Sequence, residues 1–165
     1  MAETNSKMKI ETLNDTNELV LERVFDAPRE RVFDAWADCD AVSKWWGPRT
    51  WPVAFCEMDF RVGGEWLYAM KGPDGTESWG KCVYREIDRP SRLVFDDMFS
   101  DKDGGVNTDM PQMVMTVTFT DEGGKTKVNM HTKYPSAEAM KTLTEMGMID
   151  GLTEAWDQLE ELVTA

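Results

Sequence analysis

Apolar side chains recur at helical spacing toward the end of the chain, where Met148, Leu152, Ala155, Leu159 and Leu162 form a stripe widened by Ile149, Trp156 and Val163. Asp150, Glu154, Asp157, Gln158 and Glu161 take the other side. Ser136 follows Tyr134-Pro135 as an N-cap and no proline comes after it, so the pattern predicts one long helix over residues 136–165. Burying these side chains is worth roughly 10 kcal/mol before ordering entropy, and a helix of that kind needs a platform. The stripe does not continue evenly into the opening turns, where Leu143 and Met146 swing away from the face of Met148 and Leu152. Gly147 and Gly151 sit on the border of that face and leave volume empty. A bend or break near Gly147 is expected, with the later half packed on a sheet and the earlier half a movable lid.

The platform is written in period-2 alternation. Residues 18–25 read as a first strand, and Pro28 then opens a short helix that has Asp26 or Ala27 at its cap and carries Val32, Phe33, Ala35 and Trp36. A second helical turn, capped by Asp40, leads into Trp45-Trp46-Gly47-Pro48. Six more strands follow at 53–59, 65–70, 78–87, 93–99, 113–120 and 125–134, separated by Gly63-Gly64, Gly72-Pro73-Asp74-Gly75, Asp88-Arg89-Pro90-Ser91, a loop at 101–105, and Asp121-Glu122-Gly123-Gly124. Trp66, Tyr68 and Met70 share one face; Met113, Met115, Val117 and Phe119 share another, and Met130 lies on the dry face of the last strand. The expected fold is α+β: a curled antiparallel sheet of six or seven strands around the long C-terminal helix, with one or two short helices after the first strand. Residues 1–15 are expected as a flexible arm, with 8–13 extended, and 16–165 as one domain.

Thirty-one acidic against eighteen basic residues give a net charge of −13, which repels phosphate backbones and excludes nucleic acid as a natural partner. No apolar run is long enough for a membrane span and no signal-peptide core opens the sequence, so a cytoplasmic protein is expected. Cys39, Cys56 and Cys82 are odd in number and widely spaced, and are read as reduced thiols.

The residues Glu22 to Pro28, with Val32-Phe33-Asp34-Ala35-Trp36 and Trp45-Trp46-Gly47-Pro48, resemble the opening of the activator of heat-shock-protein ATPase homologue-like family. Val62-Gly63-Gly64 with Trp66 and Tyr68, Pro73-Asp74-Gly75, Tyr84-Arg85-Glu86-Ile87, Pro90 with Arg92-Leu93-Val94-Phe95, and Gly147-Met148 with Gly151 resemble its later blocks in order. The resemblance implies the helix-grip fold of the START-like, birch-pollen-allergen-like superfamily, in which a curved sheet wraps a C-terminal helix around a cavity. It implies no particular reaction, and the N-terminal chaperone-activating domain of the co-chaperone that names the family is not in this sequence.

Twelve methionines, seven tryptophans and seven phenylalanines make adaptable, polarizable walls. Trp45, Trp46, Trp66, Tyr68, Met70, Met113, Met115, Met130, Gly147, Met148 and Gly151 are the candidate lining of a cavity for a lipophilic or aromatic small molecule. Of Trp45 and Trp46, one plugs the end of the sheet and the other faces the pocket, and spacing does not choose between them. His131 falls on a wet, lysine-bearing strand face, and Asp96 and Asp97 point to opposite sides of one strand, so neither forms a catalytic pair. No cofactor or metal motif appears. A ligand binder comes first, a chaperone regulator or other interaction module second, and an enzyme acting on a hydrophobic substrate third. A homodimer is left open.

Overall fold

Alternating inward and outward positions give one antiparallel sheet of eight strands: β1 (Lys9–Leu13), β2 (Glu18–Phe25), β3 (Val53–Met58), β4 (Glu65–Lys71), β5 (Glu77–Asp88), β6 (Arg92–Phe99), β7 (Met113–Glu122) and β8 (Lys125–Lys133). Their order across the sheet is β1-β2-β8-β7-β6-β5-β4-β3. The computed structural model describes residues 8–165, and the expectation for residues 1–7 concerns the chain outside that range. One strand more is present than the six or seven expected. The addition is β1, paired from Lys9↔Glu22 to Leu13↔Glu18 on the sheet's edge. It shows no alternation because Lys9, Ile10, Glu11 and Thr12 are all exposed, and the ladder to β2 supplies what side-chain burial does not.

The concave face is the core. Met113, Met115, Val117 and Phe119 of β7 stand beside Thr126, Val128, Met130 and Thr132 of β8, all buried. Four helices are found among the described residues: α1 (Arg29–Asp34), α2 (Cys39–Val42), α3 (Ala137–Glu145) and α4 (Met148–Thr164). The α1 cap is Pro28 itself, extended at φ −70° and ψ 156° without a side-chain bond, so Asp26 and Ala27 lie too early. At α2 the cap is Asp38 rather than Asp40: its extended backbone lets the carboxylate accept from the Ala41 amide at 2.8 Å. Asp40 sits inside the first turn.

The terminal helix is broken where the seam slips. Ser136 caps α3, its hydroxyl oxygen accepting from the Ala139 amide at 3.0 Å. Gly147 then takes φ +88°, a left-handed conformation costly for any residue with a Cβ, and starts α4 in a new direction. The change of direction also returns Leu143 to a buried position, which a straight helix would not do, and leaves Met146 58% exposed. Beyond the break Leu152, Ala155, Trp156, Leu159 and Val163 are buried, and Trp156 packs on Phe25 of β2 with ring centroids 5.7 Å apart.

The cysteines do not all remain thiols. Cys39 and Cys56 are joined in a disulfide with Cα atoms 5.7 Å apart, because α2 comes to lie beside β3. Cys82 is free and buried. Among the described residues, no helix is long and apolar enough to cross a membrane.

Candidate functional site

A cavity of about 440 Å³ lies between the sheet and the α3–α4 junction. Tyr68 and Met70 of β4, Asp97 and Phe99 of β6, and Met113 and Met115 of β7 form its floor. Trp46, Gly47, Pro48 and Trp51 form one rim; Leu143, Met146, Gly147, Met148, Gly151 and Leu152 form the other. The break in the terminal helix therefore stands over the cavity. Gly151 leaves the mouth open, since a Cβ there would meet only Pro48 Cδ, at 3.9 Å.

Eight of the residues singled out by the alternation meet at this cavity: Trp46, Tyr68, Met70, Met113, Met115, Gly147, Met148 and Gly151. The other three, Trp45, Trp66 and Met130, are not in its wall. Trp45 is the structural tryptophan of its pair, donating its indole N–H to the Ala35 carbonyl at 2.8 Å and packing edge-on against Trp36. Trp66 shares the inward face with Tyr68 but is covered by Trp46, whose centroid lies 4.9 Å away. Met130 stands opposite Val117 in the middle of the sheet and is fully buried in the core. Alternation decides which face a side chain takes, but not how far along the strand the filled core gives way to open space.

The cavity floor holds a buried acid that the sequence reading passed over. Asp97 is 7% exposed and stands directly opposite Cys82 in the β5–β6 register. Its Oδ1 accepts from the Tyr68 hydroxyl and from the Cys82 thiol, both at 3.5 Å. Tyr68 can lie there because its cross-strand neighbour is Gly80, where a Cβ would come within 2.4 Å of the phenol ring. Burial pushes the Asp97 carboxyl up to about 6, against partial relief from Cys82, Tyr68 and the Met98 amide. Burial, then the nearby Asp97 charge, holds both the Tyr68 phenol and the Cys82 thiol well above their ordinary values. The signal for Asp97 was present: Leu93, Phe95, Asp97 and Phe99 are alternate positions of one strand, and an acid interrupts an otherwise apolar face.

Asp96, on the outer face, pairs with Arg85 at 2.7 Å. His131 is also outside, its Nδ1 3.3 Å from Glu18, remote from the cavity. A larger groove of about 530 Å³ is lined by Lys9, Glu22, Arg23, Asp26, Glu122, Lys125, Lys127 and Glu160. Much of its wall is ion-paired, as at Lys9–Glu22, Arg23–Glu160 and Lys127–Glu122. The smaller, apolar cavity is the better site for a small molecule.

The same fold occurs in proteins similar in sequence. The solution structure of a protein from Arthrobacter aurescens is 32% identical with a TM-score of 0.89, covering 94% of this chain and 91% of its own. The crystal structure of protein Ms6760 from Mycobacterium smegmatis is 35% identical with a TM-score of 0.88, covering 95% of this chain and 96% of its own. A solution structure from Staphylococcus epidermidis is 30% identical with a TM-score of 0.81, covering 95% and 94%. No curated protein matches the chain. The family model described as Activator of Hsp90 ATPase homolog 1-like protein matches residues 26–164, from the turn before α1 to the end of α4, and the chain belongs to that family, with its helix-grip fold.

Proposed function

We propose that the protein binds a lipophilic or aromatic small molecule in the cavity beneath the α3–α4 break, as a binder or carrier. The observation that carries this reading is the cavity itself: about 440 Å³ walled by Trp46, Met70, Phe99, Met113, Met115 and Met148, with Asp97, Tyr68 and Ser78 as its few polar groups. The Gly147 junction and the exposed Met146 at the rim supply a segment able to move during entry.

The test is a titration with Nile red, a neutral apolar dye, on the native protein and on Gly151→Leu. The leucine has room to enter the mouth and replaces a helical glycine, a gain of roughly 1 kcal/mol in helix propensity. The variant should melt higher than the native protein and lose the dye. Dye binding undiminished in a stabilised Gly151→Leu protein would remove the cavity as the site.

The family match favours a second reading, regulation of an Hsp90-type ATPase. It predicts stimulation of that ATPase in a reconstituted assay, and no stimulation at saturating protein would discard it.

A further inference from the structure

We propose that the cavity selects a cationic ligand, an apolar or aromatic body carrying one protonated amine that pairs with Asp97. This deepens the cavity-binding reading above and rests on it. Among the described residues Asp97 is the only carboxylate in the wall. Its two side-chain hydrogen bonds, from Tyr68 and Cys82, are both 3.5 Å long, at the outer limit for such bonds. Among the described residues no lysine, arginine or histidine forms an ion pair with it, although Asp96 beside it has Arg85. A buried carboxylate without a cation is expensive, and proteins ordinarily pair such groups. An ammonium group entering from the mouth supplies the missing charge.

The surroundings suit that group. Trp46 and Tyr68 lie edge to face with centroids 5.8 Å apart, and their ring systems attract a cation that has shed part of its water. The position of the acid is built rather than incidental, since Gly80 clears the space that lets Tyr68 reach Asp97. A net charge of −13 favours the approach of cations from solution. A fatty carboxylate would meet the same negative field and then Asp97 itself, so the cavity discriminates against the anionic lipids that its apolar walls alone would accept.

The pairing needs the ionised acid. The other titratable groups packed on Asp97 are Tyr68 from β4 and Cys82 from β5, both held neutral at physiological pH. Asp96 is turned to the opposite face and paired. The helix residues facing the cavity, Leu143, Met146, Met148, Leu152 and Ala155 among them, carry no charge. With the Asp97 carboxyl pushed up to about 6, amine binding weakens as the solution is acidified through that value.

The experiment uses three probes of one shape, phenylbutylamine, phenylbutanol and phenylbutanoate, each titrated into the native protein by calorimetry at about pH 8 and about pH 5, alongside Nile red. The amine should bind at least tenfold tighter than the alcohol at the higher pH, with the acid weakest, and the amine's advantage should shrink at the lower pH. In Asp97→Asn the amine should fall to the alcohol's affinity; because the pH comparison is made on the native protein, the test stands even if that variant folds poorly. Equal affinities for amine and alcohol, or no amine binding, overturn the proposal. Nile red separates the two readings: dye bound with no preference for the amine removes only the cation, whereas no binding of dye or of any probe removes the cavity reading as well.

Discussion

Asp97 carries a consequence for stability that does not depend on any ligand. Its carboxyl is pushed up to about 6 in the folded protein by burial, while in the unfolded chain it titrates near the ordinary aspartate value. The folded state therefore holds the proton more tightly than the unfolded one, and the group's favourable contribution is complete below about pH 4 and lost as pH rises through 6. At about pH 8 the ionised acid costs on the order of 3 kcal/mol, at roughly 1.4 kcal/mol for each unit of difference. Asp97→Asn removes that cost and should melt on the order of 10 °C higher than the native protein at about pH 8, with little difference near pH 4. Thermal melts at the two pH values check it; a variant no more stable at the higher value would mean that the carboxylate is better compensated than its two long hydrogen bonds allow. The same residue shows where reading the chain stops short. That Asp97 faces inward followed from β6 alternation, but its neighbours Tyr68 and Cys82 come from two other strands, and only the sheet register brings the three together.

Elements with one buried face were the most legible in the chain. Six of the expected strands bury the inward positions of their alternation, β3 presents only the half-buried Val53, Cys56 and Met58 across a bulge, and the break at Gly147 followed from the slip between Leu143, Met146 and Met148. Strand β1 has no buried face along most of its length, so residues 8–13 read as extended but carried no alternation to announce a strand of the sheet. The Cys39–Cys56 bond was misread for a different reason: α2 and β3 are separated by the tryptophan-rich mouth segment, and nothing local says that its two ends meet. That bond closes a chain segment with a sequence separation of 17, which includes the cavity-rim residues Trp46, Pro48 and Trp51. Loop-closure entropy assigns a cross-link of this span roughly 3 kcal/mol of stabilisation. Urea denaturation of the native protein and of Cys39→Ala/Cys56→Ala, with and without reductant, should show that loss in the variant and in the reduced native protein alike. Indifference to both would mean that the two sulfurs contribute nothing as a cross-link.

At the scale of the whole molecule the sheet grips α4 through polar contacts at the two sides of the helix, and the side read as its acidic back supplies them. On the mouth side Gln158 donates to the Gly47 carbonyl at 2.9 Å, and the Arg49 amide donates to Glu154 at 3.1 Å. On the β2 side the Arg23 guanidinium is buried, 2.7 Å from Asp157 and 2.6 Å from Glu160, over the Phe25 ring at 5.3 Å. Hydrophobic periodicity locates α4 over the sheet, and these contacts fix its rotation and its distance from the rim of the cavity. A buried guanidinium between two partly covered carboxylates costs desolvation, and its Nε has no hydrogen-bond partner, so the net value of the cluster is small against an apolar filling. Removing Arg23 alone is another matter, because Asp157 and Glu160 would then face one another across a space built for a cation. Arg23→Met should lose about 3 kcal/mol in urea denaturation at neutral pH, and adding Asp157→Leu and Glu160→Leu should restore most of it. Should the triple variant remain as unstable as the single one, the guanidinium would be acting through its packing on Phe25 and not through its charge.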